Sequence, residues 1–167
     1  KENMLDELPK ERIFEEYKKL LLKSKKPSKG FILLDTLNAI YPELKSLQGI
    51  PQNKTYHPEG DVWIHTMMSI DAMAELRTGD NKRDLILILA TLCHDLGKVA
   101  TTKTIDGRIR SIGHENELNT VISLINKLTV EKSILEGIIP LIKEHLSPSQ
   151  FYMRKVKDSA IRRLSTR

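Results

Sequence analysis

The chain has 167 residues and a formal net charge of +5 at pH 7, a size that supports one folded domain with its own hydrophobic core. Hydrophobic residues make up 40% of the chain and charged residues 29%, which excludes disordered and collagen-like classes. The single cysteine, Cys93, excludes a disulfide framework. Because we find no export leader and no apolar stretch of bilayer length, we expect a cytoplasmic protein without a membrane segment.

The net charge is concentrated near the C-terminus. The last fourteen residues contain six basic side chains and one acidic one, and the rest of the chain carries equal numbers of both signs. A second run, residues 18–29, is rich in lysine and has no acid. Such runs are typical of RNA-binding surfaces, but solvated helix faces and linkers carry them about as often. The candidate nucleic-acid-binding residues are Lys23, Lys25, Lys26, Arg162 and Arg163.

Helical signals dominate the first part of the chain. Pro9 suits the first turn of a helix, and apolar residues then recur at helical spacing up to Leu21. After a polar break, Ser28 is expected to cap a second helix, which Pro42 would end. Its predicted apolar positions are Ile32, Leu33, Leu37 and Ile40. Glycine and proline then predict a loop over residues 47–60.

The next pair of helices is expected to form the centre of the domain. Asp61 can cap a helix that runs toward Arg77 and is closed by Gly79. Residues 84–96 are nearly all apolar, so they predict a buried helix that ends at Gly97.

One segment predicts β-structure. Two short runs of β-formers within residues 101–112 flank Asp106-Gly107, a strong signal for a two-residue hairpin turn. Further helices are predicted over residues 114–128 and 130–145, and a short one over residues 158–164. The predicted fold class is therefore an all-α bundle with one small β-hairpin.

Histidines at helix ends are the strongest chemical signal. The five histidines are His57, His65, His94, His114 and His145. A buried carboxylate needs a strong partner, and Asp95 ends the most apolar helix directly after His94. A divalent metal would supply that partner; a structural pair in contact with Lys98 is an equally open alternative.

Antiparallel packing would bring several of these histidines together. His65 lies one turn into the helix that precedes the apolar one, so it would lie beside His94 and Asp95. His114 begins a predicted helix and His145 ends another. We therefore expect the histidines to converge at one pole of the bundle.

These residues carry a resemblance to a known family. The pattern of His65 followed by His94-Asp95-Leu96-Gly97-Lys98 resembles the HD superfamily of helical metal-dependent phosphohydrolases. The wider context is similar to the HD domain of the bacterial tRNA nucleotidyltransferase (CCA-adding) and poly(A) polymerase family. The similar segments are residues 9–13, 41–44, 52–66, 106–108, 113–115 and 158–164.

The resemblance implies a domain organisation. Residues 1–48 correspond to a helical lead-in, residues 49–157 to the HD domain and residues 158–167 to a basic helix stub. The family's N-terminal polymerase head, with its Gly-Ser and Asp-x-Asp motifs, is expected outside this chain, which has no Asp-x-Asp. The superfamily's final metal-binding aspartate is likewise expected beyond the Arg162-Arg163-Leu164 segment.

The resemblance also implies a reaction. A divalent transition metal (Ni, Mn, Co, Fe or Zn) would be held by His65, His94 and Asp95. His114 and His145 would complete a second metal position or donate protons to the leaving oxygen. Asp95, Lys98 and His114 are the predicted catalytic residues, with Lys98 on a substrate phosphate. The implied substrates are phosphomonoesters and 2′,3′-cyclic phosphates of nucleotides or RNA ends.

Two further candidates and two alternative functions complete the set. Glu59 and Asp61 are candidates for the rim of the site, although Asp61 is better explained as a helix cap. In the first alternative, the chain is a non-catalytic module that binds tRNA through its basic clusters. In the second, it is a scaffold that keeps the fold and has neither activity.

Overall fold

The structure is a computed structural model that describes residues 8–166. It is helical with one antiparallel two-stranded sheet, which confirms the predicted fold class. Residues 1–7 of the predicted lead-in and Arg167 of the predicted stub lie outside the described residues. Within residues 8–166, no helix has both the length and the apolar character needed to cross a membrane.

The elements follow one another in chain order, with a long irregular loop between α3 and α4. The helices are α1 (Lys10–Lys23), α2 (Pro27–Thr36), α3 (Pro42–Lys45), α4 (Val62–Glu75), α5 (Asn81–Cys93), α6 (Lys98–Thr101), α7 (Asn119–Leu128), α8 (Lys132–Glu144), α9 (Ser147–Arg154) and α10 (Asp158–Leu164). The strands are β1 (Lys103–Ile105) and β2 (Arg108–Arg110), and a 3₁₀ turn covers His114–Asn116.

Helix α5 lies at the centre of the protein, as its apolar sequence predicts. Ile88, Leu89 and Leu92 are fully buried, and the helix packs against α1, α4 and α8. Its last residue, Cys93, lies inside the core, where burial raises the pKa of the thiol to about 12. This cysteine therefore packs as a small apolar side chain.

The turn between α4 and α5 makes the two helices neighbours. Helix α5 begins at Asn81 instead of the predicted Asp84, because Asp80 caps it. Asp84 is buried and accepts hydrogen bonds from the backbone N–H groups of Thr78 and Gly79. These bonds hold the short connection closed, so the start of α4 lies beside the end of α5.

The loop over residues 47–60 is irregular, as predicted, and Asp61 anchors its end. One carboxylate oxygen of Asp61 accepts a hydrogen bond from the N–H of Ile64 (3.1 Å), which confirms the predicted helix cap. The other accepts from the N–H of Gly49 (2.6 Å). The loop is thereby fixed to the first turn of α4.

Helix α2 differs from the prediction. It begins at Pro27, whose missing N–H costs no hydrogen bond in the first turn. Ser28 therefore lies within the helix and does not cap it. Its hydroxyl donates to Asp71. The helix ends before Pro42, which begins α3. Its buried face is formed around Phe31. Three predicted apolar positions are consequently exposed: Ile32, Leu33 and Leu37.

The hairpin forms at the predicted turn, with strands shorter than the predicted flanks within 101–112. Lys103 pairs with Arg110 across the ladder. Asp106 and Gly107 both have positive φ, 50° and 70°, as a type I′ turn requires.

The C-terminal helices are more broken than predicted. The expected helix over 114–128 is a 3₁₀ turn followed by α7, because the chain is extended at Glu117 between them. Helix α8 confirms the predicted helix and contains Pro140. Helix α9 is not predicted from the sequence; a proline occupies its first turn.

The predicted domain boundaries stay predictions. Buried residues of α1 and α2 belong to the same hydrophobic cluster as those of α5, and α1 packs against α5 and α7. The lead-in and residues 49–157 thus share one core.

We predict that Asp61→Ala lowers the free energy of unfolding by about 1 kcal/mol or more, since it removes the helix cap and the Gly49 contact together. Asp61→Asn keeps the cap acceptor and loses the second acceptor, so its loss should be smaller. Urea unfolding of the three proteins measures this. Equal stability of wild type and Asp61→Ala would contradict the anchoring role.

Candidate metal centre

Four helix ends meet at one pole of the bundle, around Asp95. His65 comes from the first turn of α4, His94 follows the end of α5, His114 begins the 3₁₀ turn and His145 follows the end of α8. Asp95 itself is only 1% exposed. The chain thus places a buried carboxylate at the point where four imidazoles converge.

The distances confirm the predicted convergence. The Nε2 atom of His94 lies 3.2 Å from Oδ2 of Asp95, and that of His65 lies 3.9 Å from the same oxygen. On the other side, Nε2 of His114 lies 3.2 Å from Oδ1 of Asp95 and 3.2 Å from Nε2 of His145. Asp95 therefore joins two groups of possible ligands.

Backbone carbonyls fix the tautomer of three of these histidines. In each, Nδ1 lies 2.6–2.7 Å from a carbonyl oxygen three residues earlier, and the pairs are His94 with Thr91, His114 with Ser111 and His145 with Ile142. Because a carbonyl oxygen only accepts hydrogen bonds, Nδ1 must carry the proton. In the neutral imidazole, Nε2 then presents a lone pair, which faces Asp95 in His94 and His114 and faces Nε2 of His114 in His145.

A carboxylate does the same for His65. Oε1 of Glu59 lies 2.6 Å from Nδ1 of His65 and 3.2 Å from Nδ1 of His57. Burial opposes the ionisation of Glu59, but its own backbone N–H and the His65 ring outweigh burial and lower its pKa. Glu59 thus accepts from Nδ1 and leaves Nε2 of His65 facing Asp95.

The resulting arrangement matches the donor set of a metal site. Burial lowers the pKa of His65 and of His145, which favours the neutral ligand form. Oδ1 of Asp95 is buried and has no hydrogen bond, since His114 approaches it outside hydrogen-bonding geometry. Ligand atoms lie within 4.8 Å of one another in three overlapping sets, which are His65–His94–Asp95, Asp95–His114–His145 and His57–Glu59–His65. The first two match the predicted ligands, and their role as ligands stays a prediction.

Asp95 is held in its charged form. Burial alone would raise its pKa, but the His114 and His94 rings, which act in this direction when Nε2 carries a proton, and the Lys98 ammonium outweigh burial and hold the pKa well below its usual range. Lys98 donates to Oδ2 of Asp95 at 2.8 Å and to Oε1 of Gln52 at 2.7 Å. The predicted contact of Lys98 with a substrate phosphate stays untested; in this structure its ammonium is buried and bound within the protein.

The Lys98 contact fits both sequence interpretations of Asp95. It is the ion pair expected of a purely structural arrangement, and it also keeps a metal-binding carboxylate ionised. The structural interpretation leaves four convergent Nε2 atoms and an unpartnered Oδ1 unexplained. Gln52 is a site residue that the sequence reasoning missed, although it lies in the segment that carries the family resemblance.

A cavity of about 480 Å³ opens beside this centre, within the range of small-molecule sites. Its lining includes His57, Lys98 and His114 together with Arg108 and Arg110 of the hairpin. The cavity therefore borders the Asp95 cluster at His114 and Lys98.

The candidate nucleic-acid-binding residues lie apart in sequence from the four clustered histidines. They differ in whether they form ion pairs with acidic residues. Lys26 forms an ion pair with Glu75 (3.2 Å), so the fold brings an acid to this lysine-rich run. Lys23 and Lys25 are exposed, as are Arg162 and Arg163 on α10. Within residues 8–166, none of these four forms an ion pair.

The backbone at Gly97 lies so close to the 3₁₀ turn that only glycine fits there. A Cβ atom at this position would lie 2.1 Å from the carbonyl oxygen of His114 and 2.9 Å from that of Glu117. We predict that Gly97→Ala displaces the 3₁₀ turn, lowers the melting temperature and weakens metal binding. Gly137→Ala is the control, because its Cβ would meet only the flexible side chain of Ile86. Unchanged melting temperature and metal affinity in Gly97→Ala would contradict this packing.

Comparisons with known proteins show what this chain is similar to. Residues 2–48 match the family model described as "Probable RNA and SrmB- binding site of polymerase A". The chain is similar to the multifunctional CCA protein of Ralstonia nicotianae, with 35% identity over 145 residues that cover 84% of this chain and 32% of the relative. The corresponding proteins of Paraburkholderia phymatum and Burkholderia pseudomallei are each 34% identical over 145 residues, covering 84% of this chain and 33% of the relative.

The chain spans about a third of the length of these curated relatives. No solved structure matches it significantly. The family model and the curated relatives together support a domain of the CCA-adding enzyme and poly(A) polymerase family.

Proposed function

We propose that this chain carries an HD-type, divalent-metal-dependent phosphohydrolase centre. It would hydrolyse phosphomonoester or 2′,3′-cyclic phosphate bonds of nucleotides or RNA ends. The observation that supports this most strongly is the approach of three histidine Nε2 atoms, those of His65, His94 and His114, to one buried carboxylate, Asp95, whose Oδ1 lacks a hydrogen bond. The Nε2 atom of His145 lies 3.2 Å from that of His114 and completes the cluster.

Two ligand groups share Asp95 in this proposal. His65 and His94 would hold one cation with Asp95, and His114 and His145 a second. Imidazole and carboxylate together suit Mn, Fe, Co, Ni or Zn. When bound, such a cation would polarise a phosphoryl oxygen and lower the pKa of a bound water to near neutrality.

The chain's own residues prepare the site. Lys98 keeps Asp95 ionised, and Glu59 holds the ring of His65 in its tautomer, as carboxylates commonly do for metal-binding histidines. Hydrolysis places the water oxygen on phosphorus and returns a proton to the leaving ribose oxygen. Because Nε2 of His114 faces Asp95 and His145, we assign His114 to metal binding in preference to proton donation.

A second function is favoured by separate observations. The family model over residues 2–48 describes an RNA-binding region, and exposed basic residues without ion pairs lie in that region and on α10. We propose that this chain is part of a longer CCA-adding protein and contributes to tRNA binding. Nucleotide addition itself would need a polymerase head, since this sequence contains no Asp-x-Asp motif.

The first test is metal content and hydrolysis. Purified chain supplied with Mn²⁺, Co²⁺ or Ni²⁺ should retain at least one ion per chain and hydrolyse adenosine 2′,3′-cyclic phosphate. Asp95→Ala should lose both the ion and at least a hundredfold in kcat/KM, because both ligand groups depend on this carboxylate.

The matched control is Asp80→Asn. Asp80 caps α5 at its opposite end, and asparagine caps equally well. This variant should keep its metal and activity. Wild-type protein that binds no metal and hydrolyses nothing with any of the three cations would rule out the proposed centre.

The second test is the salt dependence of tRNA binding. Replacing Arg162 and Arg163 together by alanine should weaken binding and reduce the slope of log Kd against log salt by roughly one to two, if each arginine contacts one phosphate. Lys82→Ala/Arg83→Ala, on the exposed start of α5, is the matched control. Identical affinity and slope in wild type and the Arg162/Arg163 variant would remove α10 from the RNA interface.

A further inference from the structure

The hairpin presents uncompensated positive charge to the cavity beside the metal centre. Arg108 and Arg110 both line this cavity, and being two residues apart on β2 they project from the same face of the strand. Both side chains are exposed. Among residues 8–166, neither guanidinium has an ion pair or a side-chain hydrogen bond.

The pairing of the strands adds to this charge. Lys103 lies directly opposite Arg110 in the ladder, and like charges in that position destabilise a hairpin. The nearest acid in sequence, Asp106 in the turn, forms no ion pair with any of these cations. An anion bound at this face would relieve the repulsion, so the arrangement favours a negatively charged ligand.

An aromatic ring completes the cavity. Tyr56 lines it from the loop before α4, and 75% of this side chain is exposed. Its hydroxyl has no hydrogen-bond partner within the described part of the chain. A solvent-exposed ring beside unpaired arginines is the combination that binds bases and phosphates in nucleotide and single-strand sites.

The same cavity reaches the catalytic pole. Lys98 and His114, which contact Asp95, line it together with the hairpin arginines. A ligand with one phosphate at His114 and Lys98 can therefore place other groups against the hairpin and Tyr56. This geometry separates the phosphate that reacts from the parts of the substrate that are recognised.

We propose that Arg108, Arg110 and Tyr56 form a nucleotide-recognition subsite beside the metal centre, with the arginines on a 5′ phosphate and the tyrosine on the base. The proposal rests on the phosphohydrolase function proposed above and defines its substrate. The favoured substrate is a ribonucleotide with two phosphates, one at the 2′ or 3′ position that is hydrolysed and one at the 5′ position that is bound. The 3′ end of an RNA strand has this chemistry, and so does a free nucleoside bisphosphate.

The experiment compares two substrates that differ by one phosphate. The metal-supplied chain hydrolyses adenosine 2′,3′-cyclic phosphate and its 5′-phosphorylated form, and kcat/KM is measured for each. Wild type should prefer the 5′-phosphorylated form at least tenfold. Arg108→Ala/Arg110→Ala should abolish this preference, because both cations that face the 5′ phosphate are removed. A variant that keeps the full preference would overturn the subsite.

Two further variants sharpen the assignment. Tyr56→Ala should lower kcat/KM for both substrates about tenfold, and Tyr56→Phe should retain it, because stacking needs the ring and not the hydroxyl. Lys82→Ala/Arg83→Ala removes two exposed cations elsewhere and should leave the preference unchanged. A dinucleotide ending in a 2′,3′-cyclic phosphate distinguishes an RNA end from a free bisphosphate. Faster hydrolysis of the dinucleotide than of the 5′-phosphorylated mononucleotide identifies the RNA end as the source of the ligand.

A binding measurement separates this proposal from the proposed function. Equilibrium dialysis of adenosine 3′,5′-bisphosphate in the presence of EDTA needs no hydrolysis. If wild type hydrolyses nothing but binds this ligand at least tenfold more tightly than the Arg108/Arg110 variant, the subsite stands and the phosphohydrolase function falls. Equal binding by the two folded proteins overturns the subsite, whether or not the chain hydrolyses phosphate esters.

Discussion

The arrangement of this protein depends on one electrostatic constraint: the Nε2 atoms of three histidines face a single buried carboxylate, and that of a fourth, His145, faces Nε2 of His114. Each Nδ1 is committed to a carbonyl or to Glu59, so each neutral ring turns its Nε2 lone pair into this cluster. Lone pairs and a carboxylate repel one another unless a proton or a cation lies between them. Lys98 supplies one positive charge at Oδ2, and Oδ1 is left without a hydrogen bond.

The fold places these groups by joining helix ends, which are well suited to fixing a side chain. The bonds of the His94 and His145 rings to carbonyls three residues earlier use the last turns of α5 and α8. The Ile142 carbonyl also accepts the backbone N–H of His145. Gly97 lets the 3₁₀ turn approach closely enough for His114 to reach Asp95. His94 and Asp95 directly follow the buried helix α5, so the packing of this helix fixes the position of both residues.

The sequence predicted the parts of this arrangement that depend on local pattern. The apolar run of α5, the cap at Asp61 and the hairpin turn at Asp106-Gly107 follow from short-range rules, and the structure confirms them. The tautomers could not be predicted, because they depend on which carbonyl each ring meets after folding. The burial of the apolar residues in and after α2 does not follow from their spacing: Ile32, Leu33 and Leu37 are exposed and Ile40 is buried, because tertiary packing around Phe31 decides which face is covered.

The most direct test of the four-histidine arrangement around Asp95 is ¹⁵N NMR of the histidine rings during titration with zinc, which is diamagnetic. The account predicts that the Nε2 resonances of His65, His94, His114 and His145 shift as zinc binds, that their Nδ1 atoms remain protonated, and that the ring of His57 is unchanged. Retention of Nε2–H on these four rings at saturating zinc would contradict it. So would coordination through Nδ1 of His57 and His65, which would place the ion at Glu59 and not at Asp95.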